Sequence, residues 1–243
     1  MRIIKVDAIS STNDFIRSYY GGENHFEPVC VVARHQNKGK GQRGGSWSVT
    51  PGKNLTFSVL YPEISIGASR QFLLSAVVAL SVLNVLKRYE IPKLCVKWPN
   101  DIMAGRYKIG GILIENILKK ADIAASIIGI GLNVNQVAFG ELTQASSIKV
   151  QMGQEYDLEV LLMDLLDELS FQLKNLSTSK ADHILTKYCS HLFRKDVVST
   201  FRLPDGSFFS GIIKGVTPEG LLTVQAEEGG DLTFDLKEIK LMY

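Results

Sequence analysis

Apolar residues recur every three or four positions along two long segments of the chain, which is the spacing of a helix that buries one face. The first segment covers residues 69–89 and the second covers residues 158–173. A shorter helix is predicted over residues 181–192. A fourth helix is predicted to begin near Ser11 or Thr12, because a hydroxyl group can accept a hydrogen bond from the free N–H groups of a first turn.

Six shorter segments are rich in apolar and β-branched residues and are bounded by turn residues, which indicates strands. They cover residues 2–6, 28–33, 54–61, 94–97, 108–115 and 124–134. Ile102 and Met103 are predicted to continue extended after the fourth segment. Residues 140–149 show neither spacing and are predicted to form a loop.

The pattern changes after residue 195, where short β-rich runs alternate with turn signals. The turns are predicted at Asp205-Gly206, at Pro218-Glu219-Gly220 and at Gly229-Gly230. This spacing predicts a small all-β barrel as a second domain. We therefore divide the chain into residues 1–193 and residues 194–243.

The composition excludes several classes of protein. The 243 residues are 45% hydrophobic, enough for a sizeable core, and the net charge of +2 gives no general attraction to nucleic acid. Cys30, Cys95 and Cys189 are far apart in sequence, which argues against a disulfide framework or a zinc site. The most apolar run, residues 72–86, is too short and too interrupted by polar residues to span a membrane and predicts a buried helix. The N-terminus lacks the apolar core of a signal peptide, so we expect a cytoplasmic protein.

Residues 33–47 hold four glycines among four cations and no acidic residue. Backbone N–H groups in such a loop can form an anion-binding cradle, to which the cations add charge. A phosphate-binding loop is one interpretation, and a solvated basic loop is the other. The G-x-G-x-x-G spacing from Gly39 to Gly44 is followed by a predicted strand, whereas a dinucleotide-binding loop requires a helix there. The motifs of a P-loop and of a protein kinase do not occur.

The sequence KWPND, residues 97–101, follows a predicted strand and turns at Pro99. Asn100 and Asp101 supply oxygen atoms suited to Mg²⁺ or to a hydroxyl group. The same pair is common in Asx turns, which is the alternative. Lys108 lies among apolar neighbours, where a charge is costly unless it is used. An outward strand position is the alternative for this lysine.

Four motifs in this chain occur in the order typical of one family. A basic glycine loop ends at Trp47, and it is followed by KWPND from Lys97, KIGGILIE from Lys108 and GIGLNVN from Gly129. Together they resemble the biotin protein ligases, also called biotin–[acetyl-CoA-carboxylase] ligases. The resemblance implies an α+β fold with two parts. One is a catalytic domain related to class II aminoacyl-tRNA synthetases, with a mixed β-sheet, and the other is a C-terminal SH3-like barrel.

The resemblance also implies roles for single residues. Contacts to biotin are implied for Ser11, Thr12, Asn13, Gln36, Gly39, Lys40, Gly41, Gln42, Lys108 and Gly111. Contacts to ATP or to the adenylate are implied for Arg43, Trp47, Asn100, Asp101, Gly131 and Asn133, with Asp101 as a ligand of Mg²⁺. The implied catalytic cations are Lys108, Lys40 and Arg43. The family's G-R-G-R begins here as Gly39-Lys40-Gly41-Gln42, so which of Lys40, Gln42 and Arg43 contacts phosphate stays open.

The implied reaction uses ATP, biotin and Mg²⁺ to make biotinyl-5′-AMP, and then transfers biotin to one lysine of a biotin carboxyl carrier protein of acetyl-CoA or a related carboxylase. A lipoate or octanoate ligase of the same superfamily is one alternative, and a non-enzymatic biotin- or nucleotide-responsive binding protein is another. Some family members are repressors with an N-terminal helix-turn-helix. The S-T-N motif begins here at Ser11, so we expect no specific DNA binding. A homodimer is left open as the assembly.

Overall fold

The computed structural model describes residues 1–21, 27–62, 64, 66–119, 122–227 and 229–243, which form two β-sheets. The strands of the first sheet are β1 (Arg2–Ile9), β2 (Val29–Gln36), β3 (Leu55–Pro62), β4 (Leu94–Lys97), β5 (Asp101–Ala104), β6 (Tyr107–Lys119) and β7 (Asp122–Leu132). Their order across the sheet is β1-β2-β3-β7-β6-β5-β4. Strands β1 and β2 are parallel and the other neighbours are antiparallel, so the sheet is mixed, as the resemblance implied.

The six strand predictions for this part of the chain are confirmed, and the extended pair Ile102 and Met103 lies in β5. Strand β6 runs four residues beyond its predicted end at residue 115, to Lys119. Pairing with β7 explains the extension, because Asn116 is opposite Ser126 and accepts a hydrogen bond from its hydroxyl group at 2.7 Å. A strand that contains polar residues therefore appears shorter in a hydrophobicity pattern than it is.

The helices in the described chain are α1 (Thr12–Tyr20), α2 (Gln71–Arg88), α3 (Ile148–Met152), α4 (Leu158–Lys174) and α5 (Ala181–Ser190). The four predicted helices are confirmed, and Ser11 is the N-cap of α1. The loop prediction for residues 140–149 was wrong at its end, where α3 begins. This helix has five residues, too few to show a periodic face, and its start is fixed by the Ser147 hydroxyl group, which accepts from Val150 N–H.

Helix α2 is the central core helix, packed against the first sheet, α4 and α5. With the 3₁₀ turn before it, the segment Ala68–Arg88 is long and apolar enough to cross a membrane, so the sequence argument from length and polar interruptions was wrong. The prediction of a buried helix is confirmed, because 72% of the most apolar window lies inside the protein. Helix α1 packs on the opposite face of the sheet, where Ile16 shares a small core with Val31 and Leu60.

The second sheet contains β8 (Val198–Arg202), β9 (Phe208–Val216), β10 (Leu222–Ala226), β11 (Asp231–Phe234) and β12 (Lys240–Met242). Its order is β11-β10-β9-β8-β12, and all neighbours are antiparallel. Glycines with positive φ lie in the three predicted turns, at Gly206, Gly220, Gly229 and Gly230. The rings of Phe201, Phe209 and Phe234 stack inside this sheet.

The second sheet docks against the first through a small set of contacts. Trp98 Nε1 donates to the Gly220 carbonyl at 2.9 Å. A Cβ on Gly220 would overlap the Phe72 ring of α2, so the β9–β10 turn approaches α2 as closely as a backbone can. The chain between the sheets also pairs with β4, because Val96 N–H donates to His191 and Val96 carbonyl accepts from Phe193. These contacts place the second sheet at one end of the first.

We expect Gly220→Ala to lower stability by about 2 kcal/mol or more, because it adds both a strained positive φ and a clash with Phe72. Gly229→Ala is the matched control, since its φ of 89° is similar to the 96° of Gly220 but no atom lies within 4 Å of the added Cβ. It should cost only the backbone strain, about 1–2 kcal/mol. Urea unfolding of both variants measures the difference, and equal losses would contradict close docking at Gly220.

Candidate active site

A cleft opens on the α1 face of the first sheet, above strands β3, β7 and β6. Two rows of neighbouring residues cross these strands: Thr56-Gly131-Gly111 and Ser58-Gly129-Leu113. Three of the six positions are glycine, so other groups can lie directly on the backbone of β6 and β7. The volume of the cleft is about 480 Å³, including the part open to solvent.

The indole ring of Trp47 lies over Gly131. A Cβ on Gly131 would overlap this ring, so the glycine is required there. Gly111 has room for a Cβ, and the packing around it does not require glycine. Trp47 Nε1 and Thr56 Oγ1 are both buried and have no hydrogen-bond partner within the described chain. Buried polar atoms of this kind are costly unless something binds them, which indicates a ligand site.

The basic glycine loop forms a tight hairpin that delivers Trp47 to the cleft. Trp47 N–H donates to the Gly39 carbonyl at 2.9 Å, and Gly41 N–H donates to the Gly45 carbonyl at 2.6 Å. A 3₁₀ turn, Gln42–Gly44, closes the hairpin, and no helix follows before β3, so the loop is not a dinucleotide-binding turn. Gly39 lies at the base of the hairpin and does not line the cleft.

The structure describes the side chain of one of the two predicted catalytic cations of this loop, Lys40, but not that of Arg43. Lys40 lines the cleft, and its Nζ pairs with Asp14 Oδ1 at 2.7 Å. Arg43 belongs to the 3₁₀ turn by its backbone, and its side chain lies outside the described part of the structure. Gln42 lines both the cleft and the cavity beside it. The contact of Arg43 with phosphate therefore stays a prediction.

One end of the cleft has a floor of buried, uncharged polar side chains. Gln36 Oε1 accepts from Thr12 N–H at 2.7 Å and from the Thr12 hydroxyl group at 3.0 Å. Because its oxygen is used in this way, the Gln36 amide presents its NH₂ group to the remaining space. Ser11 caps α1 by accepting from Asp14 N–H, so its own hydroxyl proton is free to be donated. This end therefore offers hydrogen-bond donors from two side chains.

Asn13 supplies an acceptor at the same end. Its Nδ2 donates to Glu115 Oε2 at 2.7 Å, and its Oδ1 accepts from the Ser58 hydroxyl group at 2.6 Å. One lone pair of Oδ1 remains. A Cβ on Gly129 would overlap the Asn13 amide, so the amide lies directly on the β7 backbone.

The other end of the cleft is cationic. Lys108 Nζ pairs with Asp101 Oδ1 at 2.6 Å and lies 5.7 Å from the centre of the Trp47 ring. Burial lowers the pKa of Lys97, and the nearby Asp101 carboxylate partly offsets this effect. Asn100 lines the cleft and donates to the Ile112 carbonyl at 2.7 Å, so it is both a turn residue and a wall residue.

A second cavity of about 1340 Å³, including open solvent, continues from this end to the second sheet. Asp101 and Lys97 line it from the first sheet, and Lys240 lines it from the second. The described residues contain no group of three or more His, Cys, Asp or Glu placed to hold a metal ion. Asp101, the predicted ligand of Mg²⁺, forms an ion pair with Lys108.

The structure therefore gathers most of the predicted site residues around one cleft. Those that line it are Ser11, Thr12, Asn13, Gln36, Lys40, Gly41, Gln42, Trp47, Asn100, Lys108, Gly111 and Gly131. Asn133 does not line it, because its buried amide donates to the Ser146 carbonyl at 3.0 Å and ties the end of β7 to the next loop. Sequence reasoning missed Thr56, Ser58 and Glu115. The first two alternate with apolar residues in β3, which is a signal of one polar face.

Comparisons with known proteins agree with this site. Residues 6–133 match the model of the biotin/lipoate A/B protein ligase family. The bifunctional ligase/repressor BirA of Salmonella typhimurium is 28% identical over 90% of this chain and 68% of its own length. The biotin–[acetyl-CoA-carboxylase] ligase of Paracoccus denitrificans is 36% identical over 43% of each chain.

A solved structure resembles the whole chain. The biotin protein ligase from Aquifex aeolicus in complex with biotin and ATP superimposes with a TM-score of 0.81 and 26% identity, covering 99% of this chain and 98% of that one. The match therefore includes both sheets and the cleft on the first one. This chain belongs to the biotin/lipoate A/B protein ligase family, as a biotin protein ligase.

Proposed function

We propose that this ligase joins biotin to the α-phosphate of ATP, releases pyrophosphate, and transfers biotin from biotinyl-5′-AMP to one lysine of a biotin carboxyl carrier protein. The observation that carries the choice of biotin is the uncharged polar floor of the cleft. A cyclic urea has one carbonyl acceptor and two N–H donors. The Gln36 NH₂ group and the Ser11 hydroxyl group match the carbonyl, and Asn13 Oδ1 matches an N–H.

The same floor disfavours lipoate. The dithiolane ring of lipoate has neither a carbonyl nor an N–H group, so it would leave these buried donors and acceptors without partners. A site built to hydrogen-bond a substrate strongly rejects an analogue that lacks those groups.

At the cationic end, a carboxylate oxygen of biotin attacks the α-phosphorus, the bond to the β-phosphate breaks, and pyrophosphate leaves. In the second step the amine of the carrier lysine attacks the acyl carbon, and AMP leaves. Negative charge develops in both steps, so preorganised cations supply most of the stabilisation. We assign this role to Lys108, with Lys40 and Arg43 from the glycine loop. The Lys108–Asp101 ion pair, with its N–O distance of 2.6 Å, holds the ammonium group at the junction of the two cavities.

The remaining assignments concern ATP and the architecture. We assign Trp47 and Gly131 to contacts with the adenylate. Mg²⁺ would enter with ATP as part of the substrate, and we assign Asn100 and Asp101 to its surroundings. We assign residues 1–193 to a class II synthetase-like domain and residues 194–243 to an SH3-like barrel, in a cytoplasmic protein. The absence of specific DNA binding stays a prediction.

ATP–pyrophosphate exchange, measured separately with biotin and with lipoate, tests this proposal. We expect exchange with biotin and at least a hundredfold less with lipoate, because lipoate leaves the polar floor unpaired. The second measurement is transfer of labelled biotin to a purified carrier domain. Exchange with lipoate but not with biotin would show that the enzyme is a lipoate ligase. Exchange with biotin but no labelling of a competent carrier would contradict the transfer step.

A further inference from the structure

Glu115 is not among the described residues that line the cleft, but it contacts Asn13, which is. It is on β6, on the same face of the sheet as Leu113, and its side chain is 30% exposed. Its Oε2 accepts from Asn13 Nδ2 at 2.7 Å, and its Oε1 accepts from Arg17 of α1 at 2.9 Å. A charged pair on the surface is thus joined by one hydrogen bond to a buried amide of the biotin site.

This contact decides which way the Asn13 amide points. A carboxylate can only accept hydrogen bonds, so the NH₂ group of Asn13 must face Glu115. The Asn13 oxygen must then face Ser58, whose hydroxyl oxygen lies 2.6 Å from it and has a single proton to donate. If the amide turned over, its oxygen would meet the carboxylate and its NH₂ group would meet the hydroxyl proton. The acceptor on one side and the donor on the other therefore exclude the reversed orientation.

No other contact of Asn13 in the described structure fixes the orientation of its amide as strongly. The Leu113 carbonyl lies 3.5 Å from Nδ2, too far for a strong hydrogen bond. The backbone of Gly129 supports the amide from below but has no side chain to orient it. Ser58 can also turn its proton towards Thr12, whose oxygen is at 2.6 Å. Without Glu115, the hydroxyl group and the amide could reverse together.

We propose that Glu115 is a positioning residue for biotin recognition: it holds Asn13 so that Oδ1 faces the cleft as an acceptor for a ureido N–H group. The inference rests on the proposed function, because biotin supplies that N–H group. Arg17 pairs with the other oxygen of the carboxylate, at the surface end of the contact. The carboxylate therefore acts through Asn13 and touches no reacting atom.

Titration calorimetry with biotin alone, without ATP, tests this role. We expect Glu115→Ala to raise the Kd of biotin about tenfold, the usual loss when one hydrogen bond to a buried group is misplaced. The Kd of ATP, measured separately, should stay within about twofold of wild type. Glu115→Gln keeps a carbonyl oxygen for Asn13 and should recover most of the affinity. Arg17→Met leaves the Asn13 contact in place and should bind biotin nearly as wild type does.

The decisive comparison is a double-mutant cycle with Asn13→Ala. If Glu115 acts through Asn13, Glu115→Ala should cost nothing further in the Asn13→Ala background. Additive losses, an equal loss in Arg17→Met, or no loss in Glu115→Ala would each overturn the inference. Should Glu115→Ala fail to fold, Glu115→Leu keeps the side-chain volume and carries the same expectation. If wild type itself does not bind biotin, the proposed function fails; if wild type binds and Glu115→Ala binds equally, only this inference fails.

Discussion

Replacing Lys108 with alanine should lower the rate of biotin-dependent ATP–pyrophosphate exchange by roughly 10²–10³, as the loss of one preorganised donor does in other enzymes. The ammonium group is at the junction of the two cavities, where our proposal brings together the carboxylate of biotin and the α-phosphate. It is held there by the Asp101 carboxylate and lies close to the Trp47 ring. Because the effect belongs to the transition state, kcat should fall much more than the affinity for biotin.

The stability of Lys108→Ala should change little by comparison, since the side chain is 34% exposed and removing it opens no cavity in the core. Lys5→Ala is the matched control. Lys5 also makes a 2.6 Å ion pair, with Glu159, but at a distance from the cleft. It should keep full exchange activity. Full activity in Lys108→Ala as well would mean that this lysine serves only to pair with Asp101.

The sequence predicted the elements of the site better than their arrangement. Periodicity located α2 and α4, and the strand-like residues after Gly44 correctly ruled out a dinucleotide-binding turn. Lys108 and Asp101 were each singled out, but their ion pair was not. It depends on a register shift between Ile102 and Met103 in β5, which a hydrophobicity pattern does not reveal.

Long-range pairing explains the residues that were missed. Strand β7 lies between β3 and β6, so Ser58 reaches the Asn13 amide above Gly129, although these residues are far apart in sequence. Glu115 gave no local signal, because one acid at the end of an apolar strand is ordinary. The Asn133 assignment came from the resemblance alone, and its amide is used to tie β7 to the next loop.

The second large effect is expected at Gly129, which the sequence analysis named only as the start of the GIGLNVN motif. A methyl group on Gly129 would overlap the Asn13 amide and come within about 3.1 Å of the Leu113 carbonyl. Both neighbours are held in place, the amide by Glu115 and Ser58, and the carbonyl by the β6 ladder. The strain is therefore relieved mainly by pushing Asn13 into the space that the ureido ring would fill.

We expect Gly129→Ala to raise the Kd of biotin by up to about a hundredfold, since overpacking a close contact costs about 1–3 kcal/mol and each 1.4 kcal/mol is about tenfold in Kd. Gly67→Ala is the matched control, because Gly67 has negative φ and only the Ser69 hydroxyl group, at 3.9 Å, near the added Cβ. It should bind biotin as wild type does. Calorimetry measures the affinity, and thermal unfolding of both variants confirms that they fold. Unchanged affinity in a folded Gly129→Ala would show that the Asn13 amide moves aside without cost, and that the polar floor of the cleft is not held as rigidly as its hydrogen bonds indicate.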